Sequence, residues 1–169
     1  IFDDYYKGKR LMNIVILERA SVGDDVSVDI LSEFGNVTVY NTTPVHMIAD
    51  RIRDADIVIA NKSPLNEETL RDALNVKLIC EFATGYDNID LGYCKKRGIG
   101  VRNVKGYSTD AVVQHTFGLC LYIFEKLNYY DNYVKSGAYS RQDSFSHYDM
   151  NFSELSSKTW GIIGMGAIG

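Results

Sequence analysis

The chain has 169 residues, 46% of them apolar and 24% charged, the composition of an ordinary globular protein. A formal net charge of -4 supplies no basic footprint, which argues against nucleic acid and anionic membranes as partners. The longest apolar stretch, 111–127, is broken by Gln114, His115 and Glu125, and the cations Lys7, Lys9 and Arg10 precede an apolar run of only Ile14 to Leu17. The first is too interrupted for a membrane span and the second too short for a secretory signal, so a cytoplasmic location is expected.

Met12 directly precedes the first clear strand, and the residues ahead of it read as an upstream extension. From there short apolar runs recur: Ile14 to Leu17, Val37 to Val39, Ile57 to Ala60, Val76 to Cys80, and Ile99 to Val101. They are continuous rather than alternating, as suits parallel strands covered on both faces. Helix starts fall between them. Thr43-Pro44 sets a cap before a proline at the first helical position, and Asn66-Glu67-Glu68 sets a cap before two acids that favour the positive end of a helix dipole. Asp90 precedes a segment closing on Lys95, Lys96, Arg97 and Gly98, which reads as a helix C-terminus. Alternating strands and helices predict an α/β fold: a flavodoxin-like parallel-sheet domain over 12–103.

Beyond it, Ser108 can cap a long helix from about Thr109 to Val134, apolar on nearly every side and therefore expected to be buried between domains or subunits. A polar stretch follows. Lys158 to Ile163 then reads as a strand running into Gly164-Met165-Gly166-Ala167-Ile168-Gly169, so 104–169 is expected to hold an interdomain helix and the beginning of a Rossmann domain cut off within its own loop. Cys80, Cys94 and Cys120 are well separated, without a CxxC pair, and are expected as free, buried or half-buried thiols. His46, His115 and His147 stand at no metal-ligand spacing, so no metal site is expected. His115 is placed as a packed histidine rather than a base.

Three segments carry chemistry. Gly164-x-Gly166-x-x-Gly169 is a dinucleotide fingerprint: the first glycine permits a tight turn, the second lets backbone approach a pyrophosphate, and the third allows close helix packing. Alone it favours nucleotide binding over the alternative of a plain glycine-rich turn. Ala83-Thr84-Gly85-Tyr86-Asp87-Asn88-Ile89-Asp90 follows the fourth strand, where open α/β sheets take ligands. A glycine there exposes backbone N–H groups to an anion, while the plainer reading has Asp87, Asn88 and Asp90 merely bonding to backbone. The third runs from Asn103 through Tyr107 and Ser108 to Thr116, with the Tyr107 hydroxyl available to a ligand.

In this order the segments ATGYDNIDL, RNVKGYSTDAVVQHTFGL and TWGIIGMGAIG resemble the D-isomer-specific 2-hydroxyacid dehydrogenases. Asn61-Lys62-Ser63-Pro64-Leu65 and the GYST wording are most similar to the glycerate dehydrogenase (hydroxypyruvate reductase) branch. The resemblance implies a hydride transfer between NAD(H) and a D-2-hydroxy or 2-keto acid in a cleft between two domains. Thr84, Gly85 and Tyr107 would bind substrate. Thr84, Gly164, Gly166, Ala167, Ile168 and Gly169 would bind the cofactor. The family's catalytic arginine, glutamate and histidine would follow Gly169, leaving the 169 residues inactive by themselves. The residue that separates NAD from NADP would also follow, so NAD is implied with NADP left open. Lys105 stands where many members have proline, and Gly118 where alanine is common. A homodimer built partly on the long helix is expected. Two other readings stay open: a non-enzymatic NAD(H)-sensing partner of the same fold, and a free-standing flavodoxin-like interaction module.

Overall fold

The computed structural model describes residues 11–169, so the basic residues Lys7, Lys9 and Arg10 and the upstream extension lie outside the described residues. The chain divides into two compact units, the first ending at Lys105 and the second beginning at Gly106.

In the first unit five strands form one parallel sheet: β1 (Met12–Ile16), β2 (Gly35–Val39), β3 (Ile57–Ala60), β4 (Leu78–Glu81) and β5 (Gly100–Arg102), in the order β2-β1-β3-β4-β5. This is the flavodoxin-like doubly wound order. Each expected apolar run became a strand, displaced by at most two residues at either end. Three helices alternate with the strands: α1 (Ile48–Ile52), α2 (Glu67–Leu70) and α3 (Leu91–Arg97).

Alternating side chains send the strands' apolar residues to two cores. One unites Val15, Leu17, Val58, Ala60 and Ile79 with Ile48 and Ile52 of α1, Leu70 of α2 and Cys94 of α3. The other is smaller, with Ile14, Ile16 and Ile59 buried against Val28, Leu31, Cys80 and Phe82. The helices therefore load one face, and the opposite face is covered thinly by the 3-10 turn Asp29–Glu33 and its neighbours. β2 starts at Gly35, which is buried against β1: a Cβ there would collide with the Met12 carbonyl oxygen. No local pattern around Gly35 signals this close approach.

In the first unit the helix caps follow the chemistry of the chain with one exception. Asn66 Oδ1 accepts from Glu68 N at 3.0 Å and Thr69 N at 3.2 Å, and Thr69 Oγ1 accepts from Asn66 N at 3.0 Å, a complete capping box. Asp90 accepts from Tyr93 N at 2.8 Å, and Gly98 ends α3 in the left-handed conformation at φ 69°. Pro44, however, is itself the N-cap of a 3-10 turn, Val45–Met47, and the Thr43 hydroxyl donates to the Leu17 carbonyl at 2.6 Å. Thr43 ties the segment to the exit of β1 instead of capping a helix.

The second unit departs further from expectation. The long helix is two: α4 (Thr109–Phe124) and α5 (Leu127–Lys135), separated at Lys126, whose left-handed φ of 54° breaks the hydrogen-bond ladder. A short α6 (Ala138–Arg141) follows. Ser108 occupies the N-cap of α4 without a side-chain cap bond. No described residue after Ile99 is buried; on α4, Phe117 is 53% exposed and Ile123 62%. His115, expected to be packed, is exposed too. The unit's own contacts are aromatic. The His147 ring stacks on Tyr133 at 3.7 Å and meets the Tyr129 hydroxyl through Nε2 at 2.7 Å, and Trp160 stacks on Phe117 at 5.2 Å. The strand expected over Lys158 to Ile163 is absent. Strand backbone needs a partner to take its N–H and C=O groups, and no strand lies beside this segment among the described residues.

Candidate functional site

Ligands of open parallel sheets sit beyond the carboxyl ends of the strands, most often where the strand order reverses. Here the reversal lies between β1 and β3. The turn after β3 presents three consecutive backbone N–H groups, a natural anion nest, but the protein fills it itself. Glu18, at the exit of β1, accepts from Asn61 N, Lys62 N and Ser63 N at 2.7, 2.9 and 3.0 Å through one oxygen. Burial pushes the Glu18 carboxyl up, and these hydrogen bonds together outweigh it, leaving its pKa below the ordinary value.

The exit of β4 is different. The loop after it is held firmly at its start: Phe82 N donates to Ala60 O at 2.7 Å, Val104 N to Ala83 O at 3.0 Å, the Thr84 hydroxyl to Val104 O at 2.9 Å, and Asn103 Nδ2 to Thr84 O at 2.7 Å. Its far end is bound as well, by Leu65 N to Asn88 O at 2.9 Å and Asp90 N to Leu65 O at 2.8 Å. Between these anchors Thr84, Gly85, Tyr86 and Asp87 are exposed. Among the described residues no acceptor meets their backbone N–H groups. A braced turn with several unpartnered donors, at the end of a parallel strand, has the chemistry to accept a small anion. The plainer role holds for two neighbours: Asn88 donates to Ser63 O at 3.0 Å and Asp90 caps α3.

The other residues singled out from sequence belong to the second unit. Tyr107 is 64% exposed just ahead of α4. Gly164 takes φ 107°, a conformation that favours glycine, and a Cβ at Gly169 would collide with the Gly164 carbonyl oxygen. The 164–169 segment thus folds back on itself in a bend that needs glycine at both ends, with Ala167 and Ile168 within it. The strand expected to deliver this bend does not form. A cleft of about 600 Å³ lined by Tyr122, Leu127, Asn128, Tyr130, Asp131 and Val134 also lies in this unit, wide open to solvent. Its one charged group, Asp131, is paired with Lys135 at 2.7 Å, so it offers little reactive chemistry.

Two residues escaped the sequence reading: Glu18 and Glu81, the last residue of β4. The available signal was an acid placed directly at the end of an apolar run. Glu81 is 1% exposed, and burial raises its pKa to about 7. The three cysteines are free, Cys94 buried and Cys80 and Cys120 half-buried. Among the described residues no helix is long and apolar enough to cross a membrane.

The sequence profile of the D-isomer specific 2-hydroxyacid dehydrogenase, catalytic domain, matches residues 14–160, and the chain belongs to this family. It is similar to a hydroxypyruvate reductase of Blautia hydrogenotrophica, 32% identical over 162 residues covering 94% of this chain and 50% of that protein. The branch suggested by the motifs is therefore among its relatives. Its fold is similar to D-lactate dehydrogenase of Aquifex aeolicus, solved with NAD and lactic acid, at TM-score 0.71 and 30% identity, covering 93% of this chain and 45% of that one. An acyclic imino acid reductase solved with NADPH and D-Arg superposes at TM-score 0.75 with 26% identity, covering 94% of this chain and 50% of the other. The chain spans about half the length of the relatives it matches.

Proposed function

We propose that the full-length protein is an oxidoreductase that moves a hydride between a nicotinamide dinucleotide and a small 2-hydroxy or 2-keto acid. The observation that carries this reading is the contrast between two anion receptors at one sheet edge. The nest after β3 is filled by Glu18, whereas the N–H groups of the exposed loop after β4 meet no acceptor among the described residues. In this proposal the backbone at Thr84 and Gly85 receives the substrate carboxylate, and the Tyr107 hydroxyl contacts the substrate.

Gly164, Gly166, Ala167, Ile168 and Gly169 would cradle the pyrophosphate, with Thr84 also touching the cofactor. The nicotinamide supplies the hydride when bound; the residues of this chain bind and orient the acid beside it. NAD is the first choice of cofactor, as in the Aquifex aeolicus relative, and the NADPH-bound imino acid reductase keeps the phosphorylated form in play. Hydroxypyruvate is the first substrate to try, given the Blautia hydrogenotrophica relative. We place the protein in the cytoplasm and assign it a homodimer, since the exposed apolar side chains of α4 form a surface that monomers rarely leave uncovered.

The test is steady-state turnover of the full-length protein on hydroxypyruvate, glyoxylate and pyruvate with NADH and with NADPH. Saturable oxidation of one cofactor with at least one acid is expected. Cofactor binding without turnover of any acid would instead favour a nucleotide-sensing role.

A further inference from the structure

Two of the buried polar side chains in the first unit have evident structural work. Thr69 closes a capping box, and Asp56 accepts the Asn13 N–H at 2.8 Å. Glu81 has no comparable explanation. It lies at the end of β4 with 1% exposure, and its Oε1 has no hydrogen-bond partner among the described residues. Its Oε2 faces Asn88 Nδ2 at 3.4 Å, and the same nitrogen donates to Ser63 O at 3.0 Å. Asn88 also supplies the carbonyl that takes Leu65 N. One residue thus joins the end of β4, the turn after β3 and the far anchor of the exposed loop.

We propose that Glu81 and Asn88 form a positioning pair that sets the Thr84–Asp87 loop for an anionic substrate. The inference rests on the substrate role given to that loop above. If the Asn88 side chain loosens, the far end of the loop keeps only its backbone bonds, such as Asp90 N to Leu65 O, and the Thr84–Asp87 backbone is held less firmly. The pair is suited to a neutral Glu81. A carboxylate there would strand charge on an oxygen with no donor, in a site too enclosed for water to compensate. Burial is the largest influence and pushes the group's pKa up to about 7; Asn88 opposes this, Glu18 from the β1 exit adds to it, and Lys62 from the β3 turn opposes it. Ionisation is relieved when the loop opens and admits water. Substrate affinity should therefore weaken as pH rises through neutrality.

The test compares the full-length wild type with Glu81→Gln and Asn88→Ala, using glyoxylate as substrate. For the wild type KM should rise about tenfold between pH 6 and pH 8, the consequence of needing a proton on a group with pKa about 7. Glu81→Gln should hold one KM across that window, and Asn88→Ala should show a raised KM throughout; kcat should follow the same pH profile in all three. A Glu81→Gln KM that tracks the wild type overturns the pairing. Amide hydrogen exchange at Leu65, whose N–H is held by the Asn88 carbonyl at 2.9 Å, corrected for intrinsic rates, reads the loop's anchor without any turnover. Protection lost between pH 6 and pH 8 in the wild type but kept in Glu81→Gln supports the pair, and identical protection in both refutes it. Should the wild type turn over no 2-keto acid, the function above fails while the exchange result still decides the role of Glu81.

Discussion

Replacing Glu81 by glutamine should stabilise the protein at alkaline pH and do little in acid. In the folded chain the carboxyl is raised from 4.5 to about 7, chiefly by burial. The folded state therefore binds more protons than the unfolded chain between these values, and stability falls as pH rises through that window. Below about 4.5 both states hold the proton and the group contributes nothing; above about 7 both have released it and the loss is constant. A span of about 2.5 pH units at about 1.4 kcal/mol each gives a full loss of about 3 kcal/mol. Glutamine keeps the shape and the Asn88 contact but carries no proton to lose. Urea unfolding of wild type and Glu81→Gln, followed by circular dichroism because the single Trp160 lies in the second unit, should show the variant's advantage growing from near zero at about pH 4 to about 3 kcal/mol at about pH 8. An advantage that does not change with pH, or a variant that is less stable at alkaline pH, would refute the reasoning.

Glu18→Gln should behave in the opposite sense. Its carboxyl lies below the ordinary value, so the stabilisation it gives is complete at neutral pH and is lost as pH falls through the folded pKa; acid titration of both proteins should show the wild-type advantage vanish below the normal carboxylate range. Gly35→Ala should cost at least about 2 kcal/mol in urea unfolding, because the new methyl collides with β1 backbone that cannot step aside. Asn66→Ala removes the acceptor of two helix N–H groups and should cost about 1 kcal/mol in the same assay.

The parallel sheet was legible because each strand is a short apolar run, and buried parallel strands need little else. Asn66, Asp90 and Gly98 were readable for a similar reason: capping is local chemistry, decided within a few residues. What escaped depends on distant partners. Glu18 gains its meaning from a turn 43 residues away, and Gly35 from the carbonyl of Met12. In the second unit the 158–163 segment and Lys126 depart from the local pattern. An apolar helix requires a covering surface that its own sequence does not supply, and a strand at 158–163 requires neighbours to pair with. The break at Lys126 left no trace either, since lysine is an ordinary helix former.

The most direct trial of the substrate loop is a crystal structure of the full-length protein with oxalate, a dianion shaped like the carboxyl end of a 2-keto acid. Oxalate should lie within hydrogen-bond distance of the Thr84 and Gly85 backbone N–H groups, with Glu18 still seated on Asn61, Lys62 and Ser63. Oxalate seated on the 61–63 turn with Glu18 displaced, or bound away from both loops, would contradict the assignment.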